Sequence, residues 1–305
     1  MTDRTRNENG DPSSESIDDP QSSVSSLQTV VQKYQLLSFI LITFGWTFGI
    51  YGILFAALNT IPAIGSIPAA WGPLIGAAVV TWMSGGSLRE WAGQVTNWRV
   101  KPRWYLIAFL LPLLITEASN LVYVFGGVSL TVTDIPFHLF VLNFFVVLLL
   151  AGSLEEFGWR GFAQPRLQER YSALIAGLVV GLLWAVWHYP HFIYGSPWTQ
   201  DISITLYTLR VMGTALVFAW VYNGTGGSIL LVMIIHAMGN LPAIFEPAGE
   251  VSATLEAITY PITIVTYALI ALVVVRLHGT EYLAADKPDP SIPGAPDDET
   301  GSKQP

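Results

Sequence analysis

The chain has 305 residues, 52% of them hydrophobic and only 12% charged, with no cysteine and a formal net charge of −8. Ordinary soluble domains carry about 25% charged residues, so a soluble globular fold is excluded, and the missing cysteines exclude disulfides, thiolate metal sites, cysteine nucleophiles and S-palmitoylation. Residues 1–32 and 278–305 each hold six acids and two bases, leaving ten of each sign in the 245 residues between, and no basic stripe of the kind that binds nucleic acid.

In chain order, residues 1–32 are rich in Asp, Asn, Ser, Glu and Gln. They are expected to form a disordered acidic cytoplasmic tail, because they bury too little apolar surface to offset their ordering entropy. A basic n-region leading into a short apolar stretch, the mark of a signal peptide, is missing. Residues 33–277 form the main domain. Eight hydrophobic stretches, at 34–58, 67–84, 104–125, 136–156, 172–190, 202–222, 228–245 and 256–276, are each taken as long enough to cross a bilayer core of ~30 Å. The expected fold is all-α, a polytopic membrane protein with eight transmembrane helices. Lipid demands internally satisfied backbones, and barrel-like alternation is absent. Gly45, Gly49, Gly76, Pro112, Gly177 and Gly181 lie within the spans, where small residues let helices approach. The stretch 85–103, GGSLREWAGQVTNWRVKPR, is polar, Trp-bearing and basic, and is expected to lie along the interface. Residues 278–305 are expected to form a second disordered acidic cytoplasmic tail.

The basic residues check the topology. With the N-terminus inside, the inner segments hold Lys33, then Arg89, Arg99, Lys101 and Arg103, then Arg160, Arg166 and Arg170, then Arg276. The outer loops at 59–66, 126–135, 191–201 and 246–255 hold none. The positive-inside rule then puts both termini in the cytoplasm of a multi-pass protein of the plasma membrane.

Ionisable residues at membrane depth are functional candidates by default. They are Glu117, Glu155, Glu156 and Arg210, with His188, His191, His236, Asn120, Asn143 and Asn240 as polar companions. Glu156 and Arg160 lie four apart with the acid first, the better orientation for a helical ion pair. Glu155 is rotated by about 100° from its neighbour, so it need not share that arginine and is free for chemistry. His236 and Asn240 also lie one turn apart and face one direction. A desolvated glutamate suits acid–base work near neutrality, and a His–Asn pair can donate to a developing oxyanion. Carboxylate, histidines and amide in a wet intramembrane cavity suggest hydrolysis. Plainer explanations exist for each residue alone: Glu117 with Arg210 reads as a buried structural pair, and His191 as an interfacial histidine.

Three motifs sit on successive hydrophobic stretches: Glu155-Glu156-Phe157-Gly158-Trp159-Arg160, Trp184-Ala185-Val186-Trp187-His188 and His236-Ala237-Met238-Gly239-Asn240. In type and order they resemble the EExxxR, aromatic-xxx-His and HxxxN motifs of the CAAX-protease and bacteriocin-processing family, also called the Abi family of intramembrane proteases. The segment 97–112, NWRVKPRWYLIAFLLP, is similar to the start of that family's third helix. The resemblance spans about residues 34–276, with Trp184 standing where phenylalanine is usual. It implies an intramembrane endopeptidase in the lipid bilayer, acting on a peptide or a prenylated, CAAX-like protein. By resemblance, Glu155 with His188 activates the attacking water, His236 with Asn240 stabilises the oxyanion, and Glu156 with Arg160 supports the site. The family's need for a metal is disputed. Glu155, His188 and His236 would make a zinc-like site with an open position, and direct water activation is the preferred alternative.

One geometric condition follows. If a helix starts inside at residue 172, His188 lies about 24 Å along it, whereas Glu155 ends the preceding span near the inner face. Hydrolysis requires either that the fourth helix continue past Glu155 towards Arg166, or that the fifth start deeper or tilt. Two other classes compete: a non-proteolytic membrane partner or immunity scaffold, and a proton-coupled transporter, the latter opposed by the absence of a repeated half with broken helices.

Overall fold

In the computed structural model, residues 20–196, 199, 201–287 and 291–295 are described. Helix α1 (Pro20–Lys33) precedes α2 (Gln35–Leu58). Then come α3 (Ala63–Ala70) and α4 (Gly72–Met83), which together make one span interrupted at Trp71. A short α5 (Leu88–Gly93) leads to α6 (Pro102–Phe125) and strand β1 (Leu130–Val132). The next apolar run starts as α7 (Phe137–Leu149) and breaks. It resumes through a 3-10 turn (Gly152–Glu155), α8 (Glu156–Gly158), a π-helical turn (Trp159–Ala163) and α9 (Gln164–Gln168). The chain then runs through α10 (Ala173–Trp187), α11 (Tyr189–Ile193), α12 (Ile204–Gly224) and α13 (Ile229–Gly239). Strand β2 (Phe245–Pro247) pairs antiparallel with β1, Thr131 opposite Glu246, and α14 (Ala253–Tyr282) closes the bundle.

The protein is thus an all-α polytopic membrane protein. Seven helical stretches among the described residues are long and apolar enough to cross a bilayer. The expected count of eight is not met, because the stretch 228–245 yields only the 11-residue α13. At ~1.5 Å per residue it covers about half a bilayer core of ~30 Å. Its helix stops at Gly239-Asn240, and Pro242 follows closely. Nearly all of α13 is buried, and it packs against α6, α7 and α12.

Both tails need correction where the structure describes them; residues 1–19, 288–290 and 296–305 lie outside the described residues. Residues 20–33 are helical, with Val31 in the core and the Gln32 amide donating to the Ser84 carbonyl at 3.3 Å. Helix α14 continues to Tyr282, Leu283 and Ala284 are buried, and the Ser87 N–H donates to the Gly294 carbonyl. The interfacial stretch 85–103 is also partly interior: Trp91 and Gln94 are buried and bind the broken segment, Trp91 Nε1 donating to Phe157 O and Gln94 Nε2 to Gly161 O.

Candidate active site

The site is built on the broken run Phe137–Gln168. Glycine at 152 disfavours helix, and the regular turn ends at Leu150. The groups freed there find partners, as lipid depth requires. Trp71 Nε1 donates to the freed Leu150 O at 2.8 Å, and the break is tied to α13 by Ser153 Oγ, which donates to Met233 O at 2.9 Å. At Gly158 a Cβ would lie 2.4 Å from the Pro73 carbonyl oxygen, so only glycine lets α8 press onto α4. The fourth span therefore continues well past Glu155, which is the first of the two solutions the spacing allowed, and Glu155 sits in mid-span rather than at its end.

Glu156 is fully buried and ties two helices together. Oε2 accepts from Arg160 Nη1 at 2.8 Å, the ion pair expected from the four-residue spacing. Oε1 accepts from His236 Nδ1 at 2.6 Å, a contact across 80 residues that no spacing on one helix could reveal. The buried Arg160 guanidinium lies 4.5 Å from the Trp184 ring and 4.9 Å from the Phe218 ring. Cation–π contact thereby compensates the Nε and Nη2 groups that have no hydrogen-bond partner.

Trp184 joins the remaining groups. Its Nε1 donates to Glu155 Oε2 at 2.7 Å, and its ring centre lies 5.9 Å from that of His188 and 5.5 Å from that of His236. Its carbonyl accepts from His188 Nδ1 at 2.8 Å. Glu155, His188 and His236 thus come together around one indole. Both imidazoles are anchored through Nδ1, leaving Nε2 as the reactive nitrogen. His236 Nε2 faces Gly152, where a Cβ would stand 2.8 Å away. Glu155 and His236 are buried, whereas His188 is only partly so, which makes it the most accessible member.

Other candidates are placed differently. Asn240 is exposed and closes its own helix, Nδ2 donating to His236 O at 3.1 Å while its carbonyl accepts from Asn143. Glu117 and Arg210 have separate partners: Glu117 Oε1 accepts from the Ile244 N–H at 2.7 Å, and Arg210 Nε donates to Tyr260 at 2.9 Å. Asn120 joins the Glu117 clasp, donating to Phe245 O at 2.7 Å. His191 hydrogen-bonds with the Tyr51 hydroxyl and with Ser196, each at 2.9 Å, so it is interior rather than interfacial. Among the described residues no three His, Cys, Asp or Glu side chains converge in a way that could hold a metal ion.

Fold and site define a polytopic helical membrane protein with a buried carboxylate–imidazole–guanidinium centre. Residues 137–242, which hold all three motifs, match the family model described as Rce1-like, type II CAAX prenyl endopeptidase. The chain is also similar to CAAX prenyl protease 2 of Methanococcus maripaludis, 31% identical over 122 residues, 38% of this chain and 42% of the relative. It therefore spans about two fifths of that curated relative's length. Both findings support the family that the motifs suggest.

Proposed function

We propose that this protein is an intramembrane endopeptidase that hydrolyses a peptide bond in a lipid-modified, CAAX-like substrate, with both termini on the cytoplasmic side of the plasma membrane. The observation that carries the reading is the convergence of Glu155, His188 and His236 on Trp184. A water held between the Glu155 carboxylate and His188 Nε2 gives its proton to Glu155 and attacks the scissile carbonyl carbon. The oxyanion that forms accepts a hydrogen bond from protonated His236 Nε2, the imidazolium being balanced by Glu156 at Nδ1. As the C–N bond breaks, Glu155 returns the proton to the leaving amine. Arg160 holds Glu156 in place. Asn240, with its amide turned back on its helix, positions His236, and the oxyanion role expected of it passes to His236. No step needs a metal.

The test is cleavage of a farnesylated peptide by the full chain in proteoliposomes. Glu155→Gln should lower the rate by at least about a hundredfold while the protein melts normally. Full activity in that variant would defeat the mechanism. A strong chelator should leave the wild type active. Loss of activity restored by zinc would instead favour metal activation. Absence of cleavage for prenylated and unprenylated peptides alike would turn the reading towards a scaffold.

A further inference from the structure

A cavity of about 530 Å³ opens where α6 begins and where α12 and α14 end, away from the Trp184 cluster. Its lining carries Arg99, Lys101, Arg103, His278 and Lys287 against one acid, Asp286. Among the described residues, no side-chain ion pair joins any of these five bases to a carboxylate. Arg99 and Arg103 rest over the rings of Trp98 and Trp104, at 5.2 and 5.6 Å. Stacked guanidinium groups keep their N–H donors for an oxygen acceptor. The back wall is an edge-to-face pair, Trp104 and Trp220, with ring centres 5.1 Å apart. A Cβ at Gly224 would lie 2.2 Å from Trp104 Cζ2, so this seat for the indole exists only because residue 224 is glycine. Helix α6 starts at the rim with no side chain capping it, so the positive end of its dipole adds to the field.

We propose that this cavity binds the phosphate of an anionic phospholipid headgroup. The source is a lipid rather than a soluble anion because of what lies next to the rim. Ile107 and His278 line the cavity, and their neighbours Leu106 on α6 and Leu277 on α14 are exposed, as are Leu110 and Val273 one turn further along each helix. Helices α6 and α14 thus present a continuous apolar track for acyl chains beneath a basic headgroup seat. Rings at the boundary and bases above it follow the ordinary layering of a membrane interface. The proposal is independent of the protease reading.

The experiment titrates phosphatidylglycerol, and in parallel phosphatidylcholine, into the full chain in detergent and follows its melting temperature. A rise with phosphatidylglycerol alone is expected. Arg99→Gln, Lys101→Gln and Arg103→Gln combined should weaken the apparent affinity by roughly a hundredfold, about fivefold per base. Arg89→Gln, an exposed base outside the cavity, should change nothing. An unchanged response in the triple variant, an equal response to phosphatidylcholine, or reproduction of the effect by inorganic phosphate would each overturn the proposal. If the triple variant does not fold, native mass spectrometry of a His278→Ala, Lys287→Gln variant decides: less co-purified phosphatidylglycerol supports the site, and wild-type retention overturns it.

Discussion

Helix α7 and the segment Ser153–Leu167 lie in the same 32-residue apolar run, yet no residue of α7 is buried, whereas every residue from 153 to 167 is buried except Leu154 and Pro165. The first half is solvated by lipid and needs little beyond apolar side chains and a closed backbone. The second half is solvated by protein, and that is where two carboxylates and two guanidinium groups can stand within an apolar run. The charges survive because partners come from elsewhere in the chain: His236 from α13, Trp184 from α10 and Phe218 from α12. Charge in this membrane protein is placed by tertiary cover, not by local hydropathy.

Substitutions in the two halves should therefore differ widely. Glu156→Ala leaves Arg160 and His236 without their shared anion; breaking a buried pair costs about 3–5 kcal/mol, so the melting temperature in detergent should fall steeply and activity vanish. Normal melting would show that the buried charges do not depend on one another. Gly152→Ala places a methyl against His236 Nε2. The ring should tilt about its Nδ1 contact with Glu156, keeping that contact and the stability, while kcat drops about a hundredfold, and wild-type kcat would mean that this edge of His236 is not used. Trp184→Phe keeps a ring but removes the donor to Glu155, a charged hydrogen bond contributing about 1.5–3 kcal/mol. A fall of about tenfold in kcat with KM unchanged is expected, and a KM effect alone would make Trp184 a substrate contact. Leu142→Ala, on the lipid face of α7 where Leu142 is 58% exposed, should shift stability by less than about 0.5 kcal/mol. A larger loss would remove the contrast altogether.

How far the sequence foretells all this depends on the range of each signal. Spacing on one helix is read directly, so the Glu156–Arg160 pair was legible and stands at 2.8 Å. The Glu156–His236 and Glu155–Trp184 contacts were not, since they join residues 80 and 29 positions apart and depend on how helices dock. The motif comparison marks Trp184 only as standing where phenylalanine is usual, whereas its importance lies in an indole N–H. Two local signals run against the hydropathic average. Gly239, Asn240 and Pro242 are helix-stop residues, and they explain why a hydropathic stretch of bilayer length yields so short a helix. Val24, Leu27 and Val31 follow helical spacing inside a segment whose average composition is polar, and residues 20–33 are helical.

The π-helical turn at Trp159–Ala163 sets a constraint on chain length as well as shape. A π turn holds one residue more than the α-helical path it replaces. The extra residue is absorbed within the turn, so the helix beyond keeps its facing, with Gln164 donating to Asn223 on α12 and Arg166 to Gln35 on α2. Removing one residue would close the turn into an α-helix and leave those two contacts standing, while the buried side chains inside the turn, Arg160 among them, shift against their neighbours. A change in the number of residues here is therefore felt inside the turn rather than beyond it.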